Sequence, residues 1–211
     1  MGLPPDDVVI AALRAGDEAM FEALLDTWSR GMSRVARSYV STRESAEEVV
    51  QDTWLALIGA LDGFEGRSSL KTWVFRILVN TAKKRSARES RTVPWSSVFE
   101  RDGGPAVDGA RFRDTGDPHP GTWKELPAPW PAPEGEVLAS EARGRIAMAL
   151  ADLPPRQRRV IALRDVEGCT SEEVCEILEI SATNQRVLLH RARAAVRRRL
   201  EDYFDSVRRS A

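Results

Sequence analysis

The sequence predicts an all-α protein of two helical domains joined by a long proline-rich linker, with a helix-turn-helix in the C-terminal domain. Apolar residues recur at helical spacing over residues 6–90 and again from 134 to about 203. Between these stretches, residues 92–133 contain eight prolines and lose the helical periodicity. The predicted boundaries are therefore 1–91 for the first domain, 92–133 for the linker and 134–211 for the second domain.

The N-terminal domain divides into four predicted helices, which cover residues 6–14, 17–40, 44–61 and 69–90. Asp17 is expected to cap the second helix, and either Ser68 or Ser69 the fourth, because short polar side chains accept hydrogen bonds from the N–H groups at helix starts. The third helix is expected to bury Val50, Trp54, Leu57 and Leu61.

The C-terminal domain begins with a predicted helix over 134–151 and a second that opens at Pro154 and Pro155, residues that suit the first turn of a helix, and runs to about residue 166. A helix-turn-helix is predicted after it. Its short helix is capped by Thr170 or Ser171 and ends at Leu178, and its long helix, capped by Ser181, runs to about Tyr203.

The net charge of −1 conceals a strong segregation of charge along the chain. Residues 67–91 sum to +7 and 138–211 to +3, whereas 1–66 sum to −7 and 92–137 to −4. Exposed charges are largely screened beyond about 8 Å at physiological salt, so each basic segment acts on its own surroundings. The two basic segments therefore predict a nucleic-acid partner.

Cysteine content and hydropathy predict a cytoplasmic protein without membrane insertion. Cys169 and Cys175 are too few for a disulfide framework and are expected to be thiols. No apolar run approaches the ~20 residues of a membrane span, and no basic signal-peptide start precedes Asp6 and Asp7. No phosphate loop, metal cluster or paired nucleophile and base is recognisable, so neither a catalytic site nor a cofactor is expected.

The final helix carries a surface suited to duplex DNA. If Leu188 or Leu189, Ala192 and Val196 are buried, the opposite side presents Thr183, Arg186, Val187, His190 and Arg193. Arginine can bind guanine, and apolar groups can contact the thymine methyl in the major groove. The alternatives are a merely solvated basic face, or a metal site at His190, for which no second ligand lies one helical turn away.

Five motifs resemble the extracytoplasmic-function (ECF) sigma factors of bacterial RNA polymerase. Residues 153–168 (LPPRQRRVIALRDVEG), 171–175 (SEEVC) and 189–193 (LHRAR) resemble region four of that family. Residues 46–54 (AEEVVQDTW) resemble region 2.2, and 64–76 (FEGRSSLKTWVFR) resemble the promoter-recognising stretch that follows it. The resemblance implies a transcription initiation factor that binds core polymerase and promoter DNA, and a protein that an anti-sigma factor inhibits.

The resemblance also implies residue roles. Contacts with the minus-thirty-five element are expected from Thr183, Asn184, Arg186, Val187, His190, Arg191, Arg193 and Arg197. Contacts with the minus-ten element are expected from Phe64, Arg67, Ser68, Ser69, Lys71, Trp73, Arg76, Asn80, Lys83 and Lys84, with one extruded base held by the loop 64–69. The clamp helices of the largest polymerase subunit are expected to bind Glu48, Gln51, Asp52 and Leu55.

Two positions depart from the family pattern. Val74 follows Trp73 where housekeeping sigma factors have a second tryptophan, and Gln185 stands where most members carry a small apolar residue. The second departure leaves the rotation of the recognition helix open. In the fourth helix, Trp73, Ile77 and Val79 are expected to belong to the core, with Trp73 ambiguous. The alternative function is a free-standing helix-turn-helix repressor or activator.

Overall fold

The computed structural model describes the backbone of residues 2–92 and 136–210 and the side chains of 2–90, 144–201 and 203. These residues form eight α-helices and no strand, which confirms the all-α prediction. The helices are α1 (Asp6–Arg14), α2 (Glu18–Ala36), α3 (Arg43–Ala60), α4 (Leu70–Thr92), α5 (Glu136–Ala151), α6 (Pro155–Ile161), α7 (Ser171–Leu178) and α8 (Ala182–Ser210). The predicted linker lies almost wholly outside the described residues.

Side-chain caps begin five of the described helices, and one of them is Thr42, which caps α3 by accepting a hydrogen bond from the Ser45 N–H at 3.1 Å. Asp17, Ser69, Thr170 and Ser181 each accept a hydrogen bond from the backbone N–H three residues further on, at 3.0 to 3.2 Å. Thr170 forms a full capping box, because the carboxylate of Glu173 accepts from the Thr170 backbone N–H in return. The predicted caps are confirmed, and of the two pairs of alternatives the structure selects Ser69 and Thr170.

Three predicted helix ends differ from the structure by more than two residues. The second helix ends at Ala36 rather than at residue 40, since the Ser38 hydroxyl donates to the Val35 carbonyl at 2.6 Å and competes with the helical hydrogen bonds. The helix opened by Pro155 ends at Ile161 and continues as a π-helical turn, Ala162–Val166. The last helix continues to Ser210, without a glycine or proline to end it.

The chain packs as two compact units. The first takes in the described part of Met1–Phe99 together with Arg159–Gln185, and the second the described part of Glu100–Arg158 together with Arg186–Ala211. In the first unit α2, α3 and α4 pack on one another around Leu24, Met32, Leu57, Phe75 and Leu78, all fully buried, and α7 packs against α4.

The second unit contains α5, the start of α6 and most of α8. An ion pair joins Arg199 to Asp152 at 2.8 Å, and the Arg145 guanidinium lies 4.8 Å from the centroid of the Tyr203 ring. Among the described residues no helix is both long and apolar enough to cross a membrane.

The third helix buries a slightly different stripe from the one predicted. Trp54, Leu57 and Leu61 are buried as expected, but Val50 is only half-buried and Val49 takes the inward position at 1% exposure. The prediction for Val50 is therefore wrong. Helical periodicity leaves two adjacent apolar residues equivalent in sequence, and packing against α2 and α4 decides between them.

Candidate nucleic-acid interface and docking groove

A loop held by α1 leads into α4. Arg14 at the end of α1 donates hydrogen bonds from Nη2 to the carbonyls of Leu61, Asp62 and Phe64 at 3.1 to 3.3 Å. The Asp6 carboxylate accepts from the Leu70 N–H at 2.7 Å, which places a negative charge at the positive end of the α4 dipole. Both contacts fix the position of the loop before the helix begins.

The loop and the first turns of α4 enclose a pocket of about 490 Å³. The rings of Phe64 and Trp73 lie with centroids 4.7 Å apart and planes inclined by 45°. Polar side chains around them include those of Arg67, Ser68 and Asn80. Aromatic faces combined with polar groups at the edge are what an unstacked base requires.

Trp73 and Ile77 line this pocket and are half-buried, whereas Val79 is fully buried. The prediction that all three belong to the core is confirmed for Val79 only. The structure resolves the ambiguity of Trp73: its ring pairs with Phe64 at the pocket instead of filling the interior.

The predicted minus-ten residues lie on this loop and on α4. Arg67, Asn80 and Lys84 are exposed, and the others are half-buried, namely Phe64, Ser68, Ser69, Lys71, Trp73, Arg76 and Lys83. The structure therefore brings all ten to the surface of one short segment of chain.

Acidic side chains from α7 contact the same helix. The Ser69 and Thr72 hydroxyls donate to the Glu173 carboxylate at 2.8 and 2.9 Å. Arg76 pairs with Glu176 at 2.9 Å, and Lys83 pairs with Glu179 at 2.8 Å. Glu176 also forms part of the pocket wall. Sequence reasoning missed these contacts.

Hydrogen bonds and charge keep the carboxylates of Glu173 and Glu179 ionised. Burial raises the pKa of Glu173, but hydrogen bonds from the Thr170 N–H and the Ser69 and Thr72 hydroxyls together lower it by more. The pKa therefore lies below its usual value. The hydrogen bond and the charge of Lys83 likewise hold the pKa of Glu179 below its usual value. Both side chains therefore carry a negative charge at neutral pH.

A second contact point lies just after the π-helical turn. The Glu167 carboxylate pairs with Arg34 on α2 at 2.7 Å, and the Glu167 carbonyl accepts a hydrogen bond from Lys71. Gly31 makes room for this carboxylate, since a Cβ at that position would lie 2.1 Å from Glu167 Oε2.

An apolar groove of about 530 Å³ runs between α2 and α3. Its lining includes Leu25, Val50, Leu55 and Ile58, and the last two are 62% and 56% exposed. Exposed leucine and isoleucine side chains this close together are unusual on a surface that binds no protein partner. The sequence pattern indicated Leu55, whereas the contribution of α2 and of Ile58 follows only from the structure.

The predicted polymerase-binding residues all lie exposed on α3: Glu48, Gln51, Asp52 and Leu55. Gln51 and Leu55 line the groove. Glu48 forms an ion pair with Arg85 of α4.

The described side chains of α8 divide into a buried and an exposed side, as predicted. Leu188, Leu189 and Ala192 are buried, whereas Val196 is only half-buried. The predicted minus-thirty-five residues Thr183, Asn184, Arg186, Val187, Arg191 and Arg193 are exposed, and His190 and Arg197 are half-buried. Burial, reinforced by the nearby charge of Arg193, lowers the pKa of His190.

Gln185 points inward and is only 1% exposed. The departure from the family pattern therefore leaves the helix rotated as the pattern of apolar residues predicts, with Arg186 exposed. The amide of Gln185 occupies an interior position where most relatives are expected to carry a small apolar side chain.

Comparisons with known proteins agree with this architecture. Residues 24–92 match the family model for sigma-70 region 2, and residues 143–196 match the model for sigma-70 region 4, together more than half of the chain. The ECF RNA polymerase sigma-E factor of Haemophilus influenzae is 26% identical over 93% of this chain and 95% of its own length. The sigma-E factor of Escherichia coli K12 is 29% identical over 90% of this chain and 92% of its own length.

Two solved structures share the fold. CnrH, in complex with the cytosolic domain of CnrY, gives a TM-score of 0.55 at 22% identity and covers 93% of this chain and 97% of its own. The sigma factor RpoE of Bartonella quintana, in complex with the anti-sigma factor NepR, gives a TM-score of 0.57 at 23% identity and covers 87% of this chain and 98% of its own. With two family models matched in the expected order, the chain belongs to the sigma-70 family and is an ECF sigma factor.

Proposed function

We propose that this protein binds core RNA polymerase and directs it to one specific set of promoters through the surfaces described above. The observation that carries the assignment of roles is the Phe64 and Trp73 pocket beside the basic face of α4. Sigma-70 proteins are transcription initiation factors and are not known as enzymes. Phosphodiester chemistry therefore belongs to the polymerase.

The minus-ten element binds the loop and α4. One base of the non-template strand leaves the stack and enters the pocket, where it packs on the Phe64 and Trp73 rings. Arg67 and Asn80 at the edge supply hydrogen bonds to its polar atoms, and Lys84 meets the phosphate backbone.

The minus-thirty-five element binds α8 as a duplex. The exposed residues of its first turns, Asn184, Arg186 and Val187, approach base edges in the major groove. Arg197, three turns further along, meets phosphate and contributes affinity without sequence preference. With the domain boundaries predicted at residues 91 and 134, the two promoter elements bind separate domains.

Core polymerase binds the α2–α3 groove and the adjoining exposed side of α3. An apolar centre at Leu55 and Ile58, bordered by Gln51 and Asp52, has the mixed character of a protein interface. The clamp helices of the largest subunit are the proposed occupant. Because the template and polymerase are cytoplasmic in bacteria, this is also where the protein acts.

An anti-sigma factor is the proposed inhibitor. This proposal is supported by the fold-level likeness to CnrH, described with CnrY, and to RpoE of Bartonella quintana, described with the anti-sigma factor NepR. Both proteins cover nearly the whole of this chain.

Run-off transcription with purified core polymerase tests the proposed function. A pool of genomic promoter fragments should yield defined start sites only when the protein is present. Arg76→Ala with Lys83→Ala should abolish these transcripts while leaving core binding intact. Tight, sequence-specific DNA binding by the protein alone, with no polymerase-dependent start site, would support a free-standing repressor or activator and overturn the assignment.

A further inference from the structure

We propose that the acidic side of α7 occupies the minus-ten DNA-binding face of α4 in the free protein and holds it in an autoinhibited, closed state. This inference rests on the proposed function, because it requires α4 to bind DNA. It adds a competitor for that surface that lies within the same chain.

The charges of α7 match those of α4 in register. Glu173 and Glu176 lie three residues apart on one side of α7, and Glu179 follows as the C-cap residue of that helix. On α4 they meet the Ser69 and Thr72 hydroxyls, then Arg76, then Lys83, over more than three turns. Phosphate oxygens of a DNA strand would accept hydrogen bonds from the same donors.

The closed contact uses groups that the DNA would need. Ser69, Arg76 and Lys83 donate to α7 carboxylates, and Lys71 donates to the Glu167 carbonyl. Glu176 stands in the wall of the base pocket. A nucleic-acid strand cannot take these donors while α7 holds them, so closure and minus-ten binding exclude one another.

Contacts outside α7 hold the segment from Arg159 to Glu179 on α2 and on the loop that follows α2. Glu167 pairs with Arg34 beside Gly31. The Arg159 guanidinium lies 3.7 Å from the Tyr39 ring centroid and donates to the Ser38 carbonyl at 2.9 Å. The segment from Arg159 to Glu179 is therefore anchored at both of its ends.

The contact is weak enough to be released. Arg76, Glu176, Lys83 and Glu179 are each at least 40% exposed, so water and salt screen their ion pairs. Such pairs individually shift an equilibrium by only a small factor. Core polymerase, by binding each of the two sigma regions at a separate place, can supply the free energy that opens the closed state.

Two kinds of variant test the proposal in the full-length protein. Glu176→Gln with Glu179→Gln removes two carboxylates that face α4, and Glu22→Gln with Glu172→Gln makes the same charge change at exposed positions. Gly31→Leu inserts a neutral wedge against Glu167. Its control is Gly59→Leu, also in a helix, where no atom lies within 4 Å of an added Cβ.

The probe is a short fluorescein-labelled single-stranded DNA of mixed sequence, and its anisotropy reports binding to the protein without polymerase. Glu176→Gln with Glu179→Gln should raise the affinity about 2- to 30-fold, the range expected for loss of two exposed ion pairs. Gly31→Leu should raise it in the same direction, and both controls should leave it within about 2-fold of the unaltered protein.

Addition of Arg76→Ala and Lys83→Ala to the Glu176→Gln, Glu179→Gln variant should abolish the gain in affinity, because the released face of α4 then lacks the two basic side chains that bind DNA. The proposal is overturned if the α7 and Gly31 variants bind like the unaltered protein, or if the control carboxylates raise affinity equally. Failure of the proposed function differs from both outcomes, since Arg76→Ala with Lys83→Ala would then leave promoter transcription by the holoenzyme unchanged.

Discussion

Leu55→Asp should weaken binding to core polymerase far more than it affects folding. Complete burial of a leucine side chain contributes roughly 1.5–3 kcal/mol. Leu55 is 62% exposed in this chain, so docking in the groove would bury roughly two-thirds of that value, about 1–2 kcal/mol. Desolvation of the new carboxylate in an apolar groove costs about a further 1–2 kcal/mol. The sum predicts an affinity about 30- to 700-fold lower.

The free energy of unfolding should change by less than about 0.5 kcal/mol, because the side chain lies at the surface. Core binding is measured by competition with the labelled, unaltered protein, and folding by circular dichroism during thermal unfolding. Val8→Asp is the matched control, since Val8 is exposed at 47% on α1 and lies outside the groove. Asp52→Arg should also weaken binding, by charge reversal at the edge. Core affinities within about 2-fold for both Leu55→Asp and Asp52→Arg would refute the assignment of this interface.

Three further predictions concern α8 and the two thiols. On promoter variants that differ by one base pair, Arg186→Ala should cost about 1–3 kcal/mol of binding free energy at one or two positions, whereas Arg197→Ala should weaken binding to all sequences alike and reduce the slope of log affinity against log salt by about one unit. Equal losses at every sequence for both variants would contradict this division of roles. Burial and a nearby arginine hold the pKa of His190 below 6.5, so the histidine binds a proton more readily in the unfolded chain and the free energy of unfolding should fall as pH drops below that value. An NMR titration of His190 and denaturant melts at several pH values measure the two quantities. Burial raises the pKa of the Cys169 thiol to about 11, so iodoacetamide should modify half-buried Cys175 first, and faster labelling of Cys169 in a peptide map would disprove this.

The helices and their starts follow from local information that the sequence carries. Caps such as Asp17 and Thr170 act over three residues, and helical burial repeats within four, so both are visible in a short window of sequence. The helix-turn-helix was predictable from the same local signals, and in the structure its turn lies at Glu179, which has a backbone φ of 58°. The exposed positions on α3 and α8 were predictable for the same reason.

Tertiary packing alone decided which of two neighbouring residues faces inward. Val49 rather than Val50 fills the core, and Gln185 is buried where the charge pattern alone would leave a polar side chain in solvent. Adjacent residues on a helix differ by about 100°, and only the position of the neighbouring helices selects between them.

The pairing of α7 with α4 depended on tertiary structure most of all. Glu179 and Lys83 are separated by 96 residues, and Glu167 and Arg34 by 133. The acidic residues at every third position from Glu173 to Glu179 and the basic residues of α4 are both visible in the sequence, but either set could equally face water. Local helix propensity carries no information about contacts between residues so far apart in sequence. Only the packed chain determines that these charges meet and cover the candidate DNA-binding face.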